Sequence, residues 1–128
     1  MLALNAQDLR SAMSMERAID TVEEAYEAFS AGRALTTLRT PMELPDGVTL
    51  TMPSFSASHD AAGVKVVSVF PGNPDLGLST ILGVMLLIDG STGKPLAVLD
   101  GASLTALRTG ASGGVAAKYL ARCNAEIA

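Results

Sequence analysis

The feature that most constrains this chain is the block from Ala34 to Gly101, where runs rich in Val, Leu, Ile and Thr alternate with compact clusters of turn residues. Pro45-Asp46-Gly47, Pro71-Gly72-Asn73-Pro74 and the segment Asp89-Gly90-Ser91-Thr92-Gly93-Lys94-Pro95 each carry residues that preset a turn or tolerate unusual backbone angles. The spacing predicts strands at about 35–44, 48–53, 63–70, 80–88 and 95–100. No helical pattern separates them, so hairpin pairing is expected and a doubly wound parallel sheet is not.

Helical texture brackets this block. Asn5 can cap a short turn through Met13, and Ser14 can cap a longer helix with Glu16 in its first turn. Met15, Ala18, Ile19, Val22, Ala25, Tyr26 and Phe29 then recur at three- and four-residue steps, the mark of an amphipathic helix laid on a core, and Gly32 should end it. After Gly101 the helical pattern returns, with Ser103 as candidate N-cap and Leu104, Leu107, Ala111, Val115 and Leu120 on or near one face. Gly110, Gly113 and Gly114 lie inside that helix. Each costs about 1 kcal/mol relative to alanine, so a close backbone approach is expected there. The predicted class is therefore α+β: N-terminal helices, a mainly antiparallel or mixed sheet, and a C-terminal helix.

With 128 residues, 48% of them hydrophobic, the chain can build one cored domain. Charged residues are 17%, below the roughly 25% of an average soluble chain, which excludes disorder as the main description. The longest apolar run, Ile81 to Ile88, is far short of the about 18 residues a membrane span needs. The start has no basic stretch and is polar by Asn5, which gives no secretory signal, so a cytoplasmic location and no membrane partner are expected. A net charge of −4 argues against a nucleic-acid groove. One cysteine, Cys123, and one histidine, His59, cannot make a Cys/His zinc site or an internal disulfide, and no metal is expected.

Among the nine basic residues, Arg10, Arg17, Arg33, Lys94, Lys118 and Arg122 fall on helices, helix ends or a turn, as solvated charges do. Three others have apolar settings. Lys65 interrupts Gly63-Val-Lys-Val-Val-Ser-Val-Phe70, where alternation puts it on one face with Val67 and Val69. Arg108 follows Leu107 in a helix with small, uncharged surroundings, and Arg39 ends a predicted strand. An unpaired buried ammonium is costly, so Lys65 should face a cleft or an anion. Two guanidinium forks and an ammonium would suit a carboxylate, while snorkelling side chains at the sheet edge are the plainer alternative. His59 with Cys123 as base and nucleophile is poorly supported, Asp89 and Asp100 read as turn and cap residues, and Gly110-Ala-Ser-Gly-Gly114 lies within a helix where a dinucleotide fingerprint would not.

Five ordered motifs carry a resemblance. Met52-Pro53, Gly63-Val-Lys-Val-Val-Ser-Val-Phe-Pro-Gly-Asn-Pro74, Asp89-Gly-Ser-Thr-Gly-Lys-Pro-Leu-Ala97, Leu104-Thr-Ala-Leu-Arg-Thr109 and Ala116-Ala-Lys-Tyr-Leu-Ala-Arg122 together resemble the ornithine cyclodeaminase/mu-crystallin family over nearly the whole chain. The stretch from Arg108 to Ala121 is also similar to the alanine dehydrogenase branch.

That resemblance implies a two-domain, homodimeric enzyme using NAD or NADP. Residues 1–109 would form part of the substrate-binding and dimerisation domain, and 110–128 would connect it to a dinucleotide-binding domain that the sequence does not contain. Arg39, Lys65 and Arg108 match positions that hold the substrate carboxylate, and Thr80, Arg108 and Thr109 match positions near the cofactor. Lys65 would also be catalytic, polarising or protonating an imine nitrogen. The family's acidic contact for a distal amine falls at position 50, here Leu50, which cannot neutralise an ammonium. A small 2-oxo acid with ammonia, or a cyclic imine, then fits better than ornithine. Two other readings follow from the same resemblance, a mu-crystallin-like ligand-binding protein and a dimerisation module without activity. Part of the apolar content is expected to face a subunit or a second domain.

Overall fold

The computed structural model describes residues 1–125. In chain order the elements are β1 (Leu2–Leu4), α1 (Ala6–Ala12), α2 (Met15–Ser30), β2 (Ala34–Thr36), β3 (Thr40–Leu44), β4 (Gly47–Ser56), β5 (Ala61–Val69), a single 3-10 turn (Asn73–Leu76), β6 (Ile81–Asp89), β7 (Pro95–Asp100) and α3 (Gly101–Leu120). The architecture is α+β, a seven-stranded mixed sheet with three helices.

The sheet runs β1-β7-β6-β5-β4-β2, with β3 also on β4. From β4 to β7 it is an antiparallel meander, as the turn clusters predict. Two differences have local causes. The predicted strand 35–44 is two strands broken at Thr37–Arg39, which share the outer side of β4, β2 against Ser54–Ser56 and β3 against Gly47–Thr51. The short β1 pairs parallel with β7, and its three residues are too few for a sequence pattern to reveal.

Helix starts follow side-chain capping. Asn5 accepts from the N–H of Gln7 and Asp8, while Asp8 returns a bond to the Asn5 N–H, closing a capping box on α1. Ser14 accepts from Arg17 N–H at the start of α2. For α3 the cap is Asp100, not Ser103. The Asp100 carboxylate accepts from Ser103 N–H at 2.7 Å, so the last residue of β7 starts the helix without a connecting loop.

The helices lie on one face of the sheet. Gly101 is pressed against Gly83, where an added Cβ would come 2.5 Å from the Gly83 carbonyl carbon. Gly114 packs on Ile19 and Gly110 on Met15, which is the close approach expected of the helix glycines; Gly113 meets nothing within 4 Å. The buried core is made of Leu9, Ala18, Ala28, Val67, Ala97 and Ala111, mostly small residues, and among the described residues no large side chain is fully buried. Leu120, expected on the apolar face of α3, is exposed, as is Phe29 of α2. No described helix is long and apolar enough to cross a membrane.

Candidate functional site

Cross-strand register sets the helix-covered face in rows. Lys65 of β5 pairs with Met52 of β4 and Met85 of β6, and the next row is Leu50, Val67 and Gly83. Lys65 is thus a cation in the middle of a sheet, walled laterally by two thioethers and along its strand by apolar residues. It is half-buried.

Lys65, Arg39 and Arg108 come within electrostatic range of one another. Burial first, and then the nearby guanidinium groups of Arg108 and Arg39, hold the Lys65 ammonium below the ordinary lysine range. Arg108 comes from the second turn of α3, and Arg39 from the break between β2 and β3, so three separate elements deliver them. Arg108 and Arg39 are exposed. No described carboxylate forms a salt bridge with any of the three, whereas Lys118 pairs with Glu23 at 2.5 Å. Like charges gathered without a counter-ion are unfavourable, and an anion placed among them relieves both the repulsion and the desolvation.

Thr109 is exposed beside Arg108 on α3. Thr80 is half-buried immediately before β6, and its carbonyl accepts from Phe70 N–H at 2.9 Å. A guanidinium and a hydroxyl at an open helix position suit a phosphate group of a dinucleotide, but Gly110 and Gly114 of α3 serve helix packing, and the glycines lie inside a continuous helix that offers no phosphate loop. The described residues therefore fit a cofactor only at its margin.

Other candidates separate. His59 Nδ1 lies 3.0 Å from Ser56 Oγ in the β4–β5 turn, while Cys123 is exposed beyond α3. Asp89 Oδ1 accepts from Thr92 N–H and Oγ1, closing the β6–β7 turn, and Asp100 is the α3 cap, so both have the structural roles the sequence assigns. The described residues contain no group of three or more acidic, His or Cys side chains suited to a metal.

Sequence reasoning missed a cleft of about 860 Å³ between α2 and the sheet, whose wall includes Met85, the cross-strand partner of Lys65. Ala25, Ala28, Ala34, Ala61 and Gly63 line it, and their small size is what leaves it unfilled. The signal is spread over forty positions of sequence and belongs to no single motif.

Compared with known proteins, residues 1–128 match the model of the ornithine cyclodeaminase/mu-crystallin family. The chain belongs to this family. It is 42% identical over 126 residues to an alanine dehydrogenase of Archaeoglobus fulgidus, covering 98% of this chain and 38% of that protein. Among solved structures, an archaeal alanine dehydrogenase dimer with bound NAD superposes with a TM-score of 0.91 at 43% identity, covering 97% of this chain and 38% of the other. The Thermococcus litoralis Delta(1)-pyrroline-2-carboxylate reductase, in complex with NADH and L-proline, gives a TM-score of 0.90 at 45% identity, covering 95% and 38%. The chain thus spans well under half the length of these family members.

Proposed function

We propose that this chain is the substrate-holding part of an NAD(P)-dependent enzyme that acts at the α-carbon of a small amino acid or cyclic imine. The observation that carries this reading is the gathering of Lys65, Arg39 and Arg108 without an acidic partner. Arg39 and Arg108 would hold the substrate carboxylate by charge-assisted hydrogen bonds. Lys65 would add a third contact and, with its ammonium already disfavoured by burial, donate a proton to an imine nitrogen. Thr80, Arg108 and Thr109 would touch the cofactor's edge. When bound, the nicotinamide supplies or accepts the hydride at the α-carbon, and this chain's residues orient that carbon and neutralise the carboxylate. The identity with an alanine dehydrogenase and a pyrroline-carboxylate reductase supports this substrate class, and Leu50, in the row beside Lys65, disfavours a second ammonium.

Residues 1–109 are proposed as the substrate and dimerisation part and 110–128 as the connection onward, a division that falls inside the continuous helix α3. A homodimer is also proposed. The face opposite the helices carries Val64, Val66, Leu82, Val84, Leu86 and Ile88, with Leu82 45% and Val84 38% exposed. Such a face suits sheet-on-sheet packing between two copies better than the short edge strand β1 suits edge pairing.

The isolated chain is expected to show no dehydrogenase activity and to retain weak carboxylate affinity. Calorimetric titration with alanine, ornithine, proline and pyruvate tests the clamp. Arg39→Ala and Arg108→Ala should each weaken carboxylate binding about tenfold or more, and identical isotherms for wild type and both variants would contradict it.

A further inference from the structure

The three lysines of the chain stand in different settings. Lys94 is exposed in the β6–β7 turn. Lys118 is paired with Glu23, whose hydrogen bond holds it above the usual lysine value and so keeps it an ammonium. Lys65 is partly withdrawn from water, and no described carboxylate pairs with it. It lies at the middle of β5, between the thioethers of Met52 and Met85 across the sheet and between Gly63 and Val67 along its own face. The charged groups acting on it are both cations, Arg108 from α3 and Arg39 from the β2–β3 break. Burial first, and then these two neighbours, favour the neutral amine, which is the nucleophilic form of lysine.

We propose that Lys65 is a site of reversible carbamate formation with carbon dioxide, and that the carbamate lies between Arg39 and Arg108, where a substrate carboxylate would otherwise sit. The modification rests on the cation cluster itself, and its competition with substrate rests on the clamp reading above. In the step, the lone pair of the neutral Nζ attacks the carbon of carbon dioxide, the N–C bond forms, and one C=O π pair moves onto oxygen. The nitrogen then releases a proton to solvent. One amine and one carbon dioxide thus give one carbamate anion and one proton, with no change of oxidation state. Carbon dioxide is small and uncharged, so it enters a half-buried, thioether-walled site without the desolvation cost of an ion. The product turns a cluster of three cations into two guanidinium groups around one anion, which relieves the like-charge repulsion and supplies the missing counter-ion. High carbon dioxide would then hold the site closed to substrate, and substrate would drive the carbamate off.

The test is carbon NMR of the ¹⁵N-labelled chain in ¹³C-labelled bicarbonate at mildly alkaline pH, where free amine and dissolved carbon dioxide coexist, with and without pyruvate. The expected result is a carbamate carbon split by its bonded nitrogen that disappears in Lys65→Met, falls several-fold in Arg108→Ala and is suppressed by pyruvate. Lys65→Met puts a third thioether in the row of Met52 and Met85, which the fold accommodates, and it separates Lys65 from the exposed Met1 and Lys94 amines. No split carbon in the unaltered chain, or the same signals in Lys65→Met, would overturn the modification. Bicarbonate held only as an ion would weaken pyruvate binding yet show no coupling to nitrogen, and that result also overturns it. Pyruvate calorimetry in buffer free of carbon dioxide judges the clamp separately. Pyruvate binding without any carbamate leaves the clamp standing and removes the modification, whereas a Lys65 carbamate in a chain that binds no pyruvate keeps the modification and removes the clamp. A carbamate that persists while pyruvate binds would overturn their shared position.

Discussion

The two faces of the sheet are drawn from the same strands, residue by alternate residue, and differ in chemistry. On the helix-covered face, β5 contributes Gly63, Lys65 and Val67, with a cation at its centre. On the opposite face it contributes Ala62, Val64, Val66 and Ser68, and the adjoining positions of β6 are Leu82, Val84, Leu86 and Ile88. One side exposes charge without a counter-ion and the other exposes hydrocarbon without a cover. Each is unfavourable in water, for opposite reasons, and each points to a different occupant: a small anion for the first and a second apolar surface for the second.

The strongest break in that contrast is a charge on the bare face. Val84→Asp should convert a dimer to a monomer in light scattering, because desolvating an unpaired carboxylate at an interface costs several kcal/mol. Since Val84 is exposed in the single chain, the monomer should keep its circular dichroism and its carboxylate affinity. A variant that stays dimeric would remove the bare face from the assembly. Arg108→Ala should do the reverse, lowering carboxylate affinity about tenfold or more while leaving the oligomeric state unchanged.

Smaller effects sharpen how the helix layer holds the site. At Gly114 an added Cβ would come 2.5 Å from Ile19 Cδ1, whereas at Gly113 it meets open space. Gly114→Val should therefore destabilise by about 1–3 kcal/mol in denaturant melts, and Gly113→Ala should stabilise by about 0.5–1 kcal/mol through helix propensity. Smallest is the tie between α2 and α3, where Glu23 accepts from Lys118 and from the Tyr119 hydroxyl. These bonds hold the Glu23 carboxyl below its usual value. Its stabilisation is thus present above the unfolded carboxylate value and is lost as pH falls through the lower folded one. Glu23→Gln should lower the melting midpoint only slightly, as loss of a surface pair does.

Much of this arrangement was legible in local pattern. The turn clusters placed the meander, Asn5 and Ser14 announced the first two helices, and alternation alone put Lys65 on one face with Val67. What escaped depended on tertiary placement or on residues with two roles. Asp100 ends a strand and caps a helix at once, so Ser103 looked the better cap. The three helix glycines looked alike in sequence, yet only Gly110 and Gly114 face α2. Arg39 joins the cluster because the chain breaks from β2 to β3 beside it, which no periodicity encodes. The cleft arises from alanines and a glycine on three elements, α2, β2 and β5, and has no local signature.

Lys65 tests the central claim most directly. Its folded value lies below its ordinary 10.5, so the charged form weakens the fold at neutral pH, and that penalty fades as pH rises through the folded value towards 10.5. A carboxylate bound between Lys65, Arg39 and Arg108 must raise the value again, with uptake of protons at alkaline pH. Titrating the Lys65 side chain by NMR with and without pyruvate should show a depressed midpoint that moves upward with the ligand, and a midpoint at the ordinary lysine value that ignores pyruvate would contradict the account.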